Sequence, residues 1–204
     1  GRFDWKASAD KFPGLCKPDA SYHGLTFADA FGPTAYITKA TAQLQRDFGA
    51  AQSPENAFLL NMGLETLHLR MKRHCENAQA VAEFLNADPR VAWVSFSGLP
   101  GDKYHALAAK YCPAGGCGVL AFGLKGTRQE AIRFMDSLHL VSIATHVADA
   151  RTCCLHPASS THRQMNDSEL EAAGVSPDLV RMSCGLENAD ELIADIAQAL
   201  NEVK

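Results

Sequence analysis

The first thirty residues differ from the rest of the chain in their pattern of hydrophobic and polar positions. Aromatic side chains are spread among Gly, Pro and Asp residues, with neither a helical nor a strand period. The most prominent of them are Phe3, Trp5, Phe12, Tyr22 and Phe27. Because a free domain rarely begins with so much unpartnered aromatic surface, the pattern predicts an extended arm that lies over a larger body.

Helical periodicity follows the arm. Apolar residues recur at helical spacing over 33–48, which predicts a helix there. Ser53 and Pro54 form an N-cap with proline at the first helical position, and the helix that they open is expected to run to near Leu85, with an interruption at Gly63. A helix of this length often connects two domains.

After Pro89 the pattern of hydrophobic positions predicts short strands and helices in alternation. Strands are predicted over 91–96, 118–124, 141–147, 152–155 and 179–184, and helices over 103–110, 127–138, 167–173 and 189–203. The alternation predicts an α+β or α/β layer of about four strands with helices on one face.

Composition narrows the class of protein. The 204 residues are 47% hydrophobic and 21% charged, and the formal net charge is −4, which gives no general field for nucleic acid or an anionic membrane. No apolar stretch reaches the length of a membrane span and no signal peptide is recognised. We therefore expect a cytoplasmic protein without nucleic-acid or membrane partners.

The seven cysteines are odd in number and irregular in spacing, which argues against a disulfide framework. Cys112, Cys117, Cys153, Cys154 and His156 fit none of the compact zinc signatures. Cys153 and Cys154 also lie in an apolar run, where cysteine acts as a small hydrophobic residue. We expect no metal site. Nucleotide-binding loops and the hydrolase G-x-S-x-G elbow are also absent from the sequence.

Arg181 is the most informative single residue. It lies in the apolar run 179–184, which is predicted to be a buried strand, and an unpaired buried guanidinium is costly. Its planar fork of donors matches a carboxylate in a bidentate way. The residue therefore indicates either a pocket for an acidic ligand or an internal ion pair with Asp or Glu, and the segment alone leaves both open.

Two nearby segments add polar groups to the same layer. The loop from His156 to His162 follows a predicted strand, and its hydroxyls at Ser159, Ser160 and Thr161 could donate to a carboxylate. The alternative is a capped turn in which these hydroxyls satisfy local backbone groups. The turn 145–149 precedes this loop.

Motifs spread along almost the whole chain form a series in a fixed order. They are Gly1-Arg2-Phe3-Asp4-Trp5, Ser21-Tyr22-His23-Gly24-Leu25, Ala30-Phe31-Gly32-Pro33, the segment 63–71, His156-Pro157-Ala158-Ser159 with Thr161-His162, and the segment 179–187. The series resembles the O-acetylhomoserine sulfhydrylases of the pyridoxal-phosphate-dependent Cys/Met metabolism family, and the first three motifs resemble that branch in particular.

The resemblance implies the end of a large cofactor domain over 1–50, a long inter-domain helix over 51–88 and a small substrate-binding domain over 89–204. It implies methionine biosynthesis by a typically tetrameric enzyme, in which sulfide or a thiol replaces the acetate of O-acetyl-L-homoserine. The family's substrate-carboxylate arginine falls on Arg181, with Thr161, His146 and Val147 alongside.

The resemblance also implies that these residues lack the lysine that holds the cofactor. The family holds pyridoxal 5'-phosphate on a lysine in a Ser/Thr-Lys-Tyr/Phe context, which no lysine here has, so we expect a C-terminal part that is inactive without its N-terminal part. His146-Val147-Ala148-Asp149 stands where the sulfhydrylases usually carry Asn-Val-Gly-Asp. We therefore expect His146 to hold the carboxylate only partly, and Ala148 to re-aim the backbone.

Two alternatives remain at this point. One keeps the family but changes the reaction to that of a methionine γ-lyase or a cystathionine γ-synthase. The other is a non-catalytic binding module that retains the small domain.

Overall fold

The computed structural model describes residues 2–203. Gly1, which opens the first motif, and Lys204, which ends the predicted C-terminal domain, lie outside the described residues. The chain divides into two compact units, one up to Met62 and one from Gly63 onward. This division falls inside the segment 51–88, and the assignment of the predicted domains to parts of a larger enzyme stays a prediction.

The first unit is built from short helical segments. These are 3-10 turns at Lys6–Ser8, Ala20–Tyr22 and Gly32–Thr34, helices α1 (Pro13–Cys16), α2 (Phe27–Phe31), α3 (Ala35–Lys39) and α4 (Arg46–Phe48), and a π-helical stretch at Ala40–Gln45.

The aromatic segment at the start of the chain has a small core of its own, formed by Leu15, Phe27 and Ala35. The rings of Phe3 and Trp5 also pack against each other, with centroids 4.6 Å apart. The expectation of an extended arm is therefore wrong. The Gly and Pro residues that break its periodicity place turns between the apolar residues, which then pack on one another.

Helix α5 (Pro54–Glu65) begins where the N-cap predicts, because the Ser53 hydroxyl accepts a hydrogen bond from the backbone N–H of Asn56 at 3.1 Å. The predicted long helix is nevertheless two helices. Thr66 separates α5 from α6 (Leu67–Ala87), so the interruption lies beyond Gly63. No residue of α5 is buried, and its exposed apolar side chains include Phe58, Leu59, Leu60, Met62 and Leu64.

The second unit contains one five-stranded sheet in the order β1-β2-β5-β4-β3. Its strands are β1 (Val91–Ser95), β2 (Val119–Leu124), β3 (Ser142–Ile143), β4 (Cys153–Leu155) and β5 (Leu179–Ser183). Neighbouring strands are antiparallel except β3 and β4. The mixed α/β class is as predicted, whereas the strand predicted over 141–147 is reduced to two residues.

The helices of this unit are α6, α7 (His105–Tyr111), α8 (Arg128–Asp136), α9 (Asp167–Ala172) and α10 (Ala189–Asn201). The main core joins residues of the sheet to those of α6, α8 and α10. Phe122 of β2 and Phe134 of α8, for example, pack edge to face with ring centroids 5.7 Å apart. Packing in this core therefore fixes the position of β5, the strand that carries Arg181.

A buried carboxylate ties α10 to the segment before β3. Asp195 accepts hydrogen bonds from the backbone N–H groups of His139, Leu140 and Val141 at 2.9 to 3.0 Å. Gln198 donates a fourth bond at 3.0 Å. This segment has no regular structure, so the carboxylate supplies the partners that its backbone would otherwise lack.

Within residues 2–203, none of the helices combines the length and hydrophobicity needed to cross a bilayer. The same residues contain no group of three or more His, Cys, Asp or Glu side chains placed to hold a metal ion.

Candidate functional site

Arg181 lies in the middle of the sheet, on β5 between Ala121 of β2 and Leu155 of β4. One terminal nitrogen, Nη2, donates to the backbone carbonyl of Thr145 at 2.9 Å. Its Nε is buried and has no hydrogen-bond partner. A buried donor without a partner costs about 1–3 kcal/mol.

The predicted alternative for Arg181, an internal ion pair, is not found. Each ion pair among the described residues uses another cation, and no carboxylate there lies within 4.0 Å of Arg181. The guanidinium is thus half-buried without a countercharge. Such a group favours an anionic ligand that offers two oxygens to its planar fork.

Two side chains of β5 hold the turn at 145–148 against the strand. Besides the bond from Arg181 to Thr145, the hydroxyl of Ser183 accepts a hydrogen bond from the backbone N–H of Ala148 at 3.0 Å. Residues two apart on a strand lie on the same face, so Arg181 and Ser183 act on this turn together. The sequence prediction missed Ser183, although the two-residue spacing was a signal for it.

His146 and Val147 are exposed, as are the other residues of the turn 145–148. Ala148 follows them with a φ of +61°, a left-handed conformation that glycine adopts at much lower cost than alanine. The expectation that Ala148 re-aims the backbone stays a prediction. Its conformation is one suited to glycine, and the hydrogen bond to Ser183 offsets part of the steric cost.

The hydroxyls of the loop after β4 serve mostly local partners. Ser159 hydrogen-bonds with Nδ1 of His156 at 2.8 Å, and Ser160 donates to the carbonyl of His156 at 2.6 Å. For Ser160 the capped-turn alternative is confirmed, whereas the hydroxyl of Ser159 contacts a side chain. Thr161 is exposed and hydrogen-bonds with the ring of His162, and no hydrogen bond within residues 2–203 joins it to Arg181.

His156 is fully buried and has a structural position. Its Nε2 lies 2.8 Å from the backbone carbonyl of Pro177. A carbonyl only accepts, so Nε2 carries the hydrogen, and Nδ1 of the uncharged ring accepts from Ser159. Both ring nitrogens are therefore occupied, and the residue fastens its loop to the segment before β5.

A polar junction fixes the far end of β5. Asn77 of α6 donates to the carbonyls of Gly185 and Glu187, both at 2.9 Å. The carboxylate of Glu187 accepts from the backbone N–H and the hydroxyl of Thr152 at 2.6 and 2.8 Å. A Cβ on Gly185 would lie 2.5 Å from the carbonyl oxygen of Ala150, so only glycine fits there.

The buried thiols are not candidates for a nucleophile. Burial raises the pKa of Cys154 and of Cys184 to about 12, and only the thiolate is reactive. Both side chains belong to the core, as expected for cysteine in an apolar run.

Comparison with known proteins identifies the family of this chain. The family described as Cys/Met metabolism PLP-dependent enzyme matches residues 30–201. Homocysteine synthase of Schizosaccharomyces pombe is 44% identical over 200 residues, which are 98% of this chain and 47% of that protein. O-acetyl-L-homoserine sulfhydrylase 1 of Thermus thermophilus gives the same identity and the same coverage.

Among solved structures, a putative O-acetylhomoserine (thiol)-lyase of Campylobacter jejuni matches with a TM-score of 0.83 and 39% identity. The match covers 94% of this chain and 45% of that one, which carries N'-pyridoxyl-lysine-5'-monophosphate at position 205. The chain spans about half the length of the curated relatives it matches.

Proposed function

Because this chain belongs to the Cys/Met metabolism PLP-dependent enzyme family, we propose that it is the C-terminal part of an O-acetyl-L-homoserine sulfhydrylase. The reaction replaces the acetate of O-acetyl-L-homoserine with sulfide or a thiol and gives homocysteine or methionine. The names of its relatives support this choice within the family. On this proposal the intact enzyme is a transferase of methionine biosynthesis.

One observation carries the assignment of a substrate site to this chain. The half-buried guanidinium of Arg181 has no carboxylate within 4.0 Å among the described residues. An amino-acid substrate has a carboxylate that would supply the missing countercharge. Arg181 therefore binds the α-carboxylate, and Thr161 and the turn at His146 and Val147 border the same group. Fixing this end orients the reacting carbons, which contributes substantially to catalysis.

The lysines of this chain do not fit the cofactor. Pyridoxal 5'-phosphate is the cofactor of the family, and it withdraws electrons from the substrate when it is bound. Lys39, the most enclosed candidate, donates to Asp19 at 2.5 Å and to the carbonyl of Gly14 at 2.7 Å. Its ammonium, with the Ser21 hydroxyl, holds the pKa of Asp19 at about 2. The catalytic lysine therefore comes from an N-terminal part, and these 204 residues alone are inactive.

The surface of α5 supports the presence of a further protein partner. Its exposed apolar side chains, among them Phe58 and Leu59, form the kind of surface that is normally covered. We assign this surface to the N-terminal part of the same enzyme within a homotetramer. Unpaired cysteines throughout the described residues are consistent with a reducing compartment, hence the cytoplasm.

The activity is tested on the protein that includes its cofactor-binding part. Sulfide-dependent consumption of O-acetylhomoserine is expected to exceed consumption of O-succinylhomoserine and of methionine. Preference for methionine would identify a γ-lyase, and preference for O-succinylhomoserine a cystathionine γ-synthase. No turnover of any of the three, with no absorbance from a cofactor–lysine linkage, would identify a non-catalytic module.

The role of Arg181 is tested in the same protein. Arg181→Ala removes a charge-assisted pair worth about 3 kcal/mol, so KM for O-acetylhomoserine is expected to rise about 100-fold. Arg163→Ala is the matched control, because Arg163 is exposed and directly follows the loop from His156 to His162. An unchanged KM in Arg181→Ala would refute the assignment.

A further inference from the structure

A small cavity opens in the second unit near the end of β5. Its volume is about 140 Å³, and its wall includes Met71, Cys117 and Val147. A water molecule accounts for roughly 30 Å³ of liquid, and an apolar cavity of roughly 150 Å³ holds benzene. The space therefore suits a ligand of a few non-hydrogen atoms. Two buried polar side chains, His74 and Ser183, also line it.

His74 offers the cavity a hydrogen-bond acceptor. Its side chain is 2% exposed, and Nδ1 lies 2.6 Å from the backbone carbonyl of Cys184. Nδ1 must donate there, so Nε2 of the uncharged ring has a free lone pair. No hydrogen bond within residues 2–203 reaches Nε2. The side chain of His74 borders the accessible space of the cavity, since it is one of the residues of the wall.

Ser183 offers the cavity a donor. Its hydroxyl oxygen accepts from the backbone N–H of Ala148, while its hydroxyl hydrogen has no acceptor within the described part of the chain. Ser183 lies two residues from Arg181 on the same strand face, roughly 7 Å away. The cavity therefore lies close to Arg181, the residue proposed to bind the substrate carboxylate.

The chemistry of the wall selects among small ligands. A thiolate would be an unpaired charge in a cavity without a cationic wall residue, which is unfavourable. An alcohol would lose stronger hydration than a thiol on entering an apolar space. A neutral thiol can direct its S–H at His74 and accept from Ser183, while its polarizable sulfur packs on Met71.

We propose that this cavity binds the small neutral thiol, hydrogen sulfide or methanethiol, that serves as the second substrate, with His74 Nε2 accepting its S–H hydrogen bond. The proposal rests on the proposed sulfhydrylase function, which requires such a co-substrate. It adds a binding site separate from Arg181, so each substrate has its own residues on this chain.

The test is a titration of the isotopically labelled chain with methanethiol near pH 8, where the thiol is still neutral. The ring nitrogen resonances of His74 are followed by NMR. A saturable shift of Nε2 is expected, with a dissociation constant on the order of millimolar for so small a ligand. Methanol is the matched ligand with oxygen in place of sulfur, and it is expected to bind at least about 10-fold more weakly.

His74→Asn retains an amide donor near the position of Nδ1 and removes Nε2. Binding, followed through the backbone amide of Gly118, is expected to weaken at least about 10-fold. His68→Asn on the exposed part of α6 is the matched control and is expected to bind as the unmodified chain does. Ser183→Ala removes the other polar contact and serves if His74→Asn does not fold.

The proposal is overturned if methanethiol leaves the His74 ring unshifted, if methanol shifts it equally, or if both His74→Asn and Ser183→Ala bind as tightly as the unmodified chain. The titration contains neither cofactor nor O-acetylhomoserine. A failure here is thus distinct from a failure of the intact enzyme to consume O-acetylhomoserine with sulfide.

Discussion

Asp195 gives the sharpest test of how the second unit is held together. Its Oδ1 accepts from His139 and Gln198, and its Oδ2 from Leu140 and Val141. Asp195→Asn keeps one oxygen and replaces the other with an amide group that donates. Two of the four accepted hydrogen bonds are therefore lost, and the two groups that donated them now face the donating amide of asparagine. The free energy of unfolding is expected to fall by about 3 kcal/mol.

The pH dependence of this effect has a definite sign. Burial by itself would raise the pKa of Asp195, but the backbone N–H groups of Val141, His139 and Leu140 and the Gln198 side chain lower it below its ordinary value. A carboxyl with a lowered folded-state pKa stabilises the fold above its unfolded pKa, near 4, and this contribution is lost as the pH falls through the folded-state value. Asparagine does not titrate, so the difference between the two proteins must shrink below about pH 4.

Urea unfolding of both chains, followed by circular dichroism at pH 7 and at steps below pH 4, measures this difference. Asp136→Asn is the matched control, because Asp136 is exposed and its side chain makes no hydrogen bond or ion pair among residues 2–203. It should change stability by less than about 0.5 kcal/mol. A loss below about 1 kcal/mol for Asp195→Asn at pH 7 would refute the reasoning, as would a difference that persists unchanged in acid.

Three further substitutions test the surroundings of Arg181, each by urea unfolding. Asn77→Ala leaves the carbonyls of Gly185 and Glu187 without their donor and should cost about 2–4 kcal/mol; a loss under about 1 kcal/mol would contradict the proposed junction. Gly185→Ala forces a Cβ to within 2.5 Å of the Ala150 carbonyl and should cost more than about 2 kcal/mol, so an unchanged midpoint would contradict that close approach. Ala148→Gly relieves the φ of +61° and should stabilise by about 0.5–1 kcal/mol; a destabilised protein would show that the methyl group is needed there.

Local sequence signals account for much of the fold. The apolar runs over 118–124 and 179–184 become β2 and β5 to within a residue, because strands buried in a sheet are continuous in hydrophobicity. The N-cap at Ser53 places the start of α5 for a similar reason, since capping depends only on neighbouring residues.

The elements that sequence reasoning misplaced depend on distant partners. The strand predicted over 141–147 ends at Ile143, because Arg181 and Ser183, more than thirty residues away, hold the following residues as a turn. Likewise His74 and Asn77 contact the chain after β5 across more than 100 positions. No periodicity on α6 distinguishes such residues from ordinary core positions.

The hydrogen bond from Arg181 to the Thr145 carbonyl has a consequence for affinity. A free arginine side chain carries about 2 kcal/mol of rotamer entropy, and part of it would be lost when a flexible guanidinium closes on a ligand. Here that freedom is already lost on folding, so a carboxylate meets a donor fork that is preorganised. Lysine at this position would retain the charge and give up the planar fork, which makes Arg181→Lys a measure of preorganisation itself.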